Sequence, residues 1–187
     1  KSYGGLILNN TRDSFLVVEY TEERPGRIIE ERIIEFNLSG DREDTVFNCK
    51  ANELVNDICL SKNDNRLLFT MITQYFNLSD PRGQLNRPVS ILIMDFKKRK
   101  TIRKLDTVGT QLNVWINDAP WLSDETKFIY DFRTDRQIKK YNDTSIEKTT
   151  RQTGIYLYDI NLDKHSLLIP EGYSGEVSPV EDKIAYL

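Results

Sequence analysis

A hairpin that returns along the chain constrains this sequence more than any other feature. Its clearest copy runs from Asn117 to Tyr130: an apolar segment with Pro120, Trp121 and Leu122, a polar turn over Ser123 to Thr126, Lys127, and the β-rich run Phe128-Ile129-Tyr130. Ser, Asp and Thr in the turn can bond nearby backbone N–H groups, which is what a tight strand connection needs. Further copies are Asn56 to Phe69 and Ser174 to Tyr186, with a looser one over Leu6 to Val18. Counted from the Ser or Asn at the turn, positions 9, 61, 123 and 178 are separated by 52, 62 and 55 residues, a range in which repeats build propellers or solenoids. A second unit lies between the hairpins. Ile91 to Phe96 matches Ile155 to Ile160 and, more loosely, Ile33 to Leu38; each is followed by a short β-rich piece, Thr101 to Leu105, Ser166 to Ile169 and Thr45 to Phe47. The repeating element is therefore four strands.

An apolar strand, a Ser-Pro-Asp-Gly-like turn, Lys, an Ile-Ala-Phe-like strand, a loop and then Ile-Tyr-Leu-Tyr-Asp resembles the WD-like β-propeller repeat of TolB and of the propeller domains of the prolyl oligopeptidase family. Ser178-Pro179 to Tyr186 and Ile155 to Asp159 carry the likeness best. Three departures stand out. No copy keeps the Asp-Gly pair, only Pro179 holds the Pro position, and Asn37 stands where an Asp is expected. The resemblance implies an all-β propeller of four-stranded antiparallel blades, about three and a half of them in this chain, with a sandwich of irregular hairpins as the competing fold. It implies a non-catalytic scaffold for protein–protein interaction, placed in a bacterial envelope. Two alternatives are a substrate-gating propeller of a larger serine hydrolase or peptidase and a propeller that binds a polar ligand or glycan.

The whole of residues 1–187 reads as one propeller segment, with hairpins near 6–18, 56–70, 117–130 and 174–187. Three and a half blades are too few for the closed ring of four to eight that removes exposed sheet edges. The expectation is a piece of a larger propeller, with closure between two chains, and hence self-association, as the other route. The start at Lys1 without Met reads as a processed or excised segment.

With 39% apolar and 29% charged residues the chain can build a core, and a net charge of −3 does not select partners. No run of 18 apolar residues is present to cross a bilayer as a helix. Lys97-Lys98-Arg99-Lys100 is the strongest local charge. It falls in a turn before an outer strand, where lysines discourage edge-to-edge pairing, and no interleaved aromatic platform accompanies it. No nucleic-acid partner is expected.

Candidate sites follow from the propeller reading. Asn56, Asp57, Asn117 and Asp118 would line a mouth of the central channel, where oxygen donors suit a cation or sugar, though such residues more often cap the turn entering a strand. Two long insertions, Thr73 to Pro88 and Asp131 to Thr153, would project from one face and offer Tyr75, Phe76, Arg82, Arg87, Arg136 and Tyr141 to a protein partner. No cofactor is expected. Cys49 and Cys59 read as two thiols, and with His165 as the sole histidine they give no zinc-ligand spacing. His165 itself reads as a surface turn residue. No Gly-x-Ser-x-Gly elbow supplies a nucleophile, so no catalytic residue is assigned.

Overall fold

Short alternating runs between polar turns favour strands, and the computed structural model bears this out. It describes residues 2–10, 13–24, 27–51, 53–73, 88–110, 114–133, 151–178 and 180–187, and among them every regular element is a strand, numbered β1 to β14 in chain order. The chain forms two compact units, Lys1–Val108 and Gly109–Leu187.

In the first unit, β1 (Ser2–Leu8), β2 (Ser14–Arg24), β3 (Arg27–Asn37) and β4 (Arg42–Asn48) form one four-stranded sheet in chain order. A second is made of β5 (Glu53–Leu60), β6 (Arg66–Thr73), β7 (Pro88–Asp95) and β8 (Lys100–Thr110). Strand alternation turns Leu16 toward the second sheet, where it joins Ile33, Val46, Leu60, Leu67, Phe69, Leu92 and Met94 in one core. Phe47 and Phe69 meet there with ring centroids 4.9 Å apart. Complete burial of Phe69 contributes roughly 1.5–3 kcal/mol of transfer free energy. The other face of the first sheet carries Tyr3, Phe15, Val17 and Phe36 around a shallow apolar hollow of about 290 Å³. Phe15 and Phe36 stack at 5.5 Å, while Leu6 and Leu8, paired with Val17 and Phe15, remain 64% and 50% exposed.

In the second unit, β9 (Val114–Trp115), β10 (Lys127–Phe132), β11 (Gly154–Asp159) and β12 (Lys164–Pro170) form the third four-stranded sheet, followed by the hairpin β13 (Glu176–Val177) and β14 (Ile184–Ala185). Ile129, Ile155 and Val177 pack together, with Leu122, Leu157, Ile169 and Ile184 around them. Phe128 sits between Trp121 and Tyr158, at 5.6 and 5.4 Å.

The turns explain the repeat. Asn9, Ser61, Leu122 and Ser178 each donate a backbone N–H to the carbonyl five residues on, at Ser14, Arg66, Lys127 and Lys183. The equivalent residue in the third copy is thus Leu122 and not Ser123, because the backbone bond defines the turn and any side chain can stand at its first position. Asp64 and Glu125, three residues into their turns, adopt left-handed φ values of 55° and 53°. This is where a Ser-Pro-Asp-Gly-like turn would place its glycine. In the later turns Asp95 and Asp159 each accept a backbone N–H through Oδ1, from Lys98 and Asn161, at 3.0 and 2.9 Å. Asn37 accepts the Asp41 N–H in the same way at 3.1 Å. Only an acceptor oxygen is required, which is why Asn can replace Asp there.

Two expected positions shift. Asn56 and Asp57 lie within β5, at an irregularity in its pairing with β6 between Val55 and Ile58, because β5 already begins at Glu53. His165 is not a surface turn residue. It is the second residue of β12, whose alternation points it inward, half-buried, against Tyr130 and Tyr158. Both cysteines are thiols, Cys49 half-buried and Cys59 buried.

Candidate functional site

Of the residues expected at a channel mouth, two have structural duties. The Asp57 backbone N–H donates to Thr70 Oγ1 at 3.0 Å, and that hydroxyl donates back to Asp57 Oδ2 at 3.0 Å, pinning the β5 irregularity to β6. Asn117 donates from Nδ2 to the Gly175 carbonyl at 2.9 Å and so anchors the loop before β13. Asn56 and Asp118 are exposed. Asn56 and Asp57 are neighbours in the first unit, Asn117 and Asp118 in the second. The six residues expected to meet a partner, Tyr75, Phe76, Arg82, Arg87, Arg136 and Tyr141, lie outside the described residues.

A hollow of the first unit holds about 500 Å³, with the polar side chains of Asn9, Ser14, Glu35, Asp64, Lys97 and Arg99 among its walls. Four of these walls, Asn9, Ser14, Glu35 and Asp64, are more than nine-tenths buried. Glu35 accepts the Ser14 hydroxyl at 2.6 Å and is ion-paired with Arg99, whose guanidinium lies 4.2 Å over the Phe96 ring. Asp64 accepts both the backbone N–H and the Nδ2 of Asn10, at 3.0 and 2.7 Å. Walls that alternate carboxylate with cation suit a neutral, hydroxyl-rich molecule better than an anion. The basic run is drawn into this structure. Arg99 serves the first sheet, and Lys98 lies 3.6 Å from Asp95. Sequence alone joined none of these residues, since the turns they come from meet only in three dimensions.

Glu31, Cys49 and His165 are titratable groups shifted by burial. Glu31, 5% exposed, accepts the Val55 N–H beside the Cys49 thiol, and burial raises its pKa to about 7 against the pull of that hydrogen bond. Burial, with the Glu31 carboxyl next, pushes the Cys49 thiol well above its ordinary value, so it is not a poised nucleophile. His165 Nδ1 meets the Tyr130 hydroxyl at 2.8 Å, and burial, followed by the Arg151 charge, lowers its pKa. Among the described residues no three His, Cys, Asp or Glu side chains gather as metal ligands.

Past the end of β10, Arg133 places its guanidinium 5.1 Å from the centroid of Trp115 and 4.6 Å from that of Tyr173. This cluster was not legible from the chain, where the three residues are far apart.

No family model matches the sequence, and no curated protein matches it. Solved structures do. A prolyl endopeptidase is 14% identical with a TM-score of 0.61, over 100% of this chain and 26% of that one. An oligogalacturonate lyase in complex with manganese is 10% identical with a TM-score of 0.63, over 97% of this chain and 45% of that one. An acylaminoacyl peptidase of Pyrococcus horikoshii is 10% identical with a TM-score of 0.58, over 91% and 26%. This chain therefore spans less than half the length of each of these structures. Such identities speak for the fold alone, which is an all-β propeller of four-stranded antiparallel blades, about three and a half of them in this chain.

Proposed function

We propose that this chain is the substrate-gating propeller of a larger hydrolase of the peptidase kind, with bond cleavage performed by residues outside it. The observation that carries this reading is how the likeness is distributed. All of this chain corresponds to 26% of a prolyl endopeptidase, and 91% of it to 26% of an acylaminoacyl peptidase. A part of each peptidase is thus matched by nearly the whole of this chain. The apolar outer face of the first sheet, with Leu6 and Leu8 open to water, supports the same reading, because a further blade of equal breadth would cover it.

A fluorophosphonate probe applied to the native gene product, followed by peptide mapping, tests it. A labelled serine outside residues 1–187 is expected. An unlabelled product whose denatured mass lies near 21.9 kDa would transfer the assignment to the second reading. That reading is a TolB-like scaffold for protein–protein interaction in a bacterial envelope, favoured by the same exposed face if a partner rather than a blade covers it. A third, a propeller that takes a glycan or other polar ligand, draws on the hollow beside Glu35 and Arg99 and on the match to an oligogalacturonate lyase.

A further inference from the structure

Independently of that assignment, Arg133 is a cation with no counter-charge among the described residues. Its Nε is buried and meets no acceptor among the described residues, and its guanidinium makes no ion pair with any of them. What holds it is the pair of ring faces of Trp115 and Tyr173, and such contacts offset only part of the cost of removing a guanidinium from water. They also leave its buried Nε–H without an acceptor among the described residues, since a ring face accepts only weakly. Such an arrangement is stable but incomplete.

The carboxylate two residues before Arg133 is committed elsewhere. Asp131, in β10 and 1% exposed, accepts the backbone N–H groups of Ser174 at 2.6 Å and Gly175 at 3.3 Å. Those two bonds, with the Asn117 amide on the Gly175 carbonyl, fix the loop that carries Tyr173 over Arg133. Trp115 arrives by pairing with Asp131 across β9 and β10. Three elements are thus held in place around one cation that has no ion-pair partner among the described residues, and Tyr173 at its side is 41% exposed.

We infer that Trp115, Arg133 and Tyr173 form a receptor for a carboxylate group on a ligand, with Asp131 and Asn117 as positioning residues. A carboxylate matches the guanidinium fork with two parallel hydrogen bonds. The rings exclude water from its flanks, which strengthens those bonds. A single cation favours a monoanion over a phosphate dianion. The carboxylate can come from a peptide C-terminus or from an acidic sugar.

Isothermal titration calorimetry on the full native chain distinguishes these. N-acetylphenylalanylglycine is compared with its carboxamide, and trigalacturonate with its methyl ester. The receptor binds at least one acid no less than tenfold tighter than its neutral counterpart. Preference within the peptide pair alone, the sugar pair alone or both names the source. Arg133→Gln abolishes the preference, Arg133→Lys keeps part of it, and Tyr173→Ser weakens it severalfold. Melting of Arg133→Met supplies the control that a purely structural role would fail. Removing a cation that has no ion-pair partner among the described residues leaves the melting temperature unchanged or higher. Equal binding of acids and neutral counterparts, an undiminished preference in Arg133→Gln, or a marked fall in the Arg133→Met melting temperature would each overturn the inference.

Discussion

Glu31 couples the first two sheets to pH. Its carboxyl is buried against Val55 and faces the Cys49 thiol, so the native state holds its proton to about pH 7, whereas the unfolded chain releases it near 4.5. Between these values the native protein binds the extra proton, and stability from this group falls as pH rises. The slope is at most about 1.4 kcal/mol per pH unit, and it vanishes below and above the window. Urea unfolding of the wild type and Glu31→Gln, which keeps an acceptor for Val55, should therefore diverge through that window and run parallel above it. Curves parallel throughout would mean that Glu31 ionises normally. Trp121 makes a second test. Its ring is 8% exposed against Phe128, and its indole N–H meets no acceptor among the described residues. Trp121→Ala should cost about 3–5 kcal/mol, whereas Trp121→Phe should cost far less because no hydrogen bond is lost. A large loss in both would show that the indole edge matters. A buried Trp is expected from sequence, since large apolar rings seek cores. The Glu31 perturbation is not, because it depends on a thiol and a backbone N–H brought in from other elements.

At the level of elements, a carboxylate clips one blade's first turn to the next in each unit. Asp64 grips Asn10 in the first, and Asp182 accepts the Ser123 N–H at 2.7 Å and hydroxyl at 2.8 Å in the second. Burial separates the two. Asp64 is buried and Asp182 exposed, so Asp64→Ala should cost about 1–3 kcal/mol in chemical denaturation and Asp182→Ala under about 1. Equal losses would mean that burial does not set the strength of the clip. The strands themselves could be read from the chain because alternation and turn chemistry are local. Ile33, Ile91 and Ile155 announce their strands through their neighbours. The clips, the inward turn of His165 and the Arg133 cluster could not, because each joins residues whose proximity is created by the fold. The off-by-one alignment at Ser123 has the same origin. The turn is defined by the Leu122 backbone, which carries no signature in the side chain.

For the molecule as a whole, the decisive surface is the outer face of the first sheet. Its inner face is sealed by the second sheet, while Tyr3, Leu6 and Leu8 on the outer face remain exposed beside the Phe15–Phe36 stack. An exposed apolar surface of this kind ordinarily meets another surface. Under the proposed function that surface is a further blade, and the consequence can be measured in the intact gene product. Leu6→Glu would then bury a charge against apolar side chains, costing about 2 kcal/mol or more and lowering the melting temperature at every protein concentration. Closure between two chains gives a different signature, since the same substitution would act only where the assembly forms and its effect would fade on dilution. If melting is unchanged at all concentrations, the face looks onto water in the working protein, and the apolar surface that supports the blade reading no longer does so.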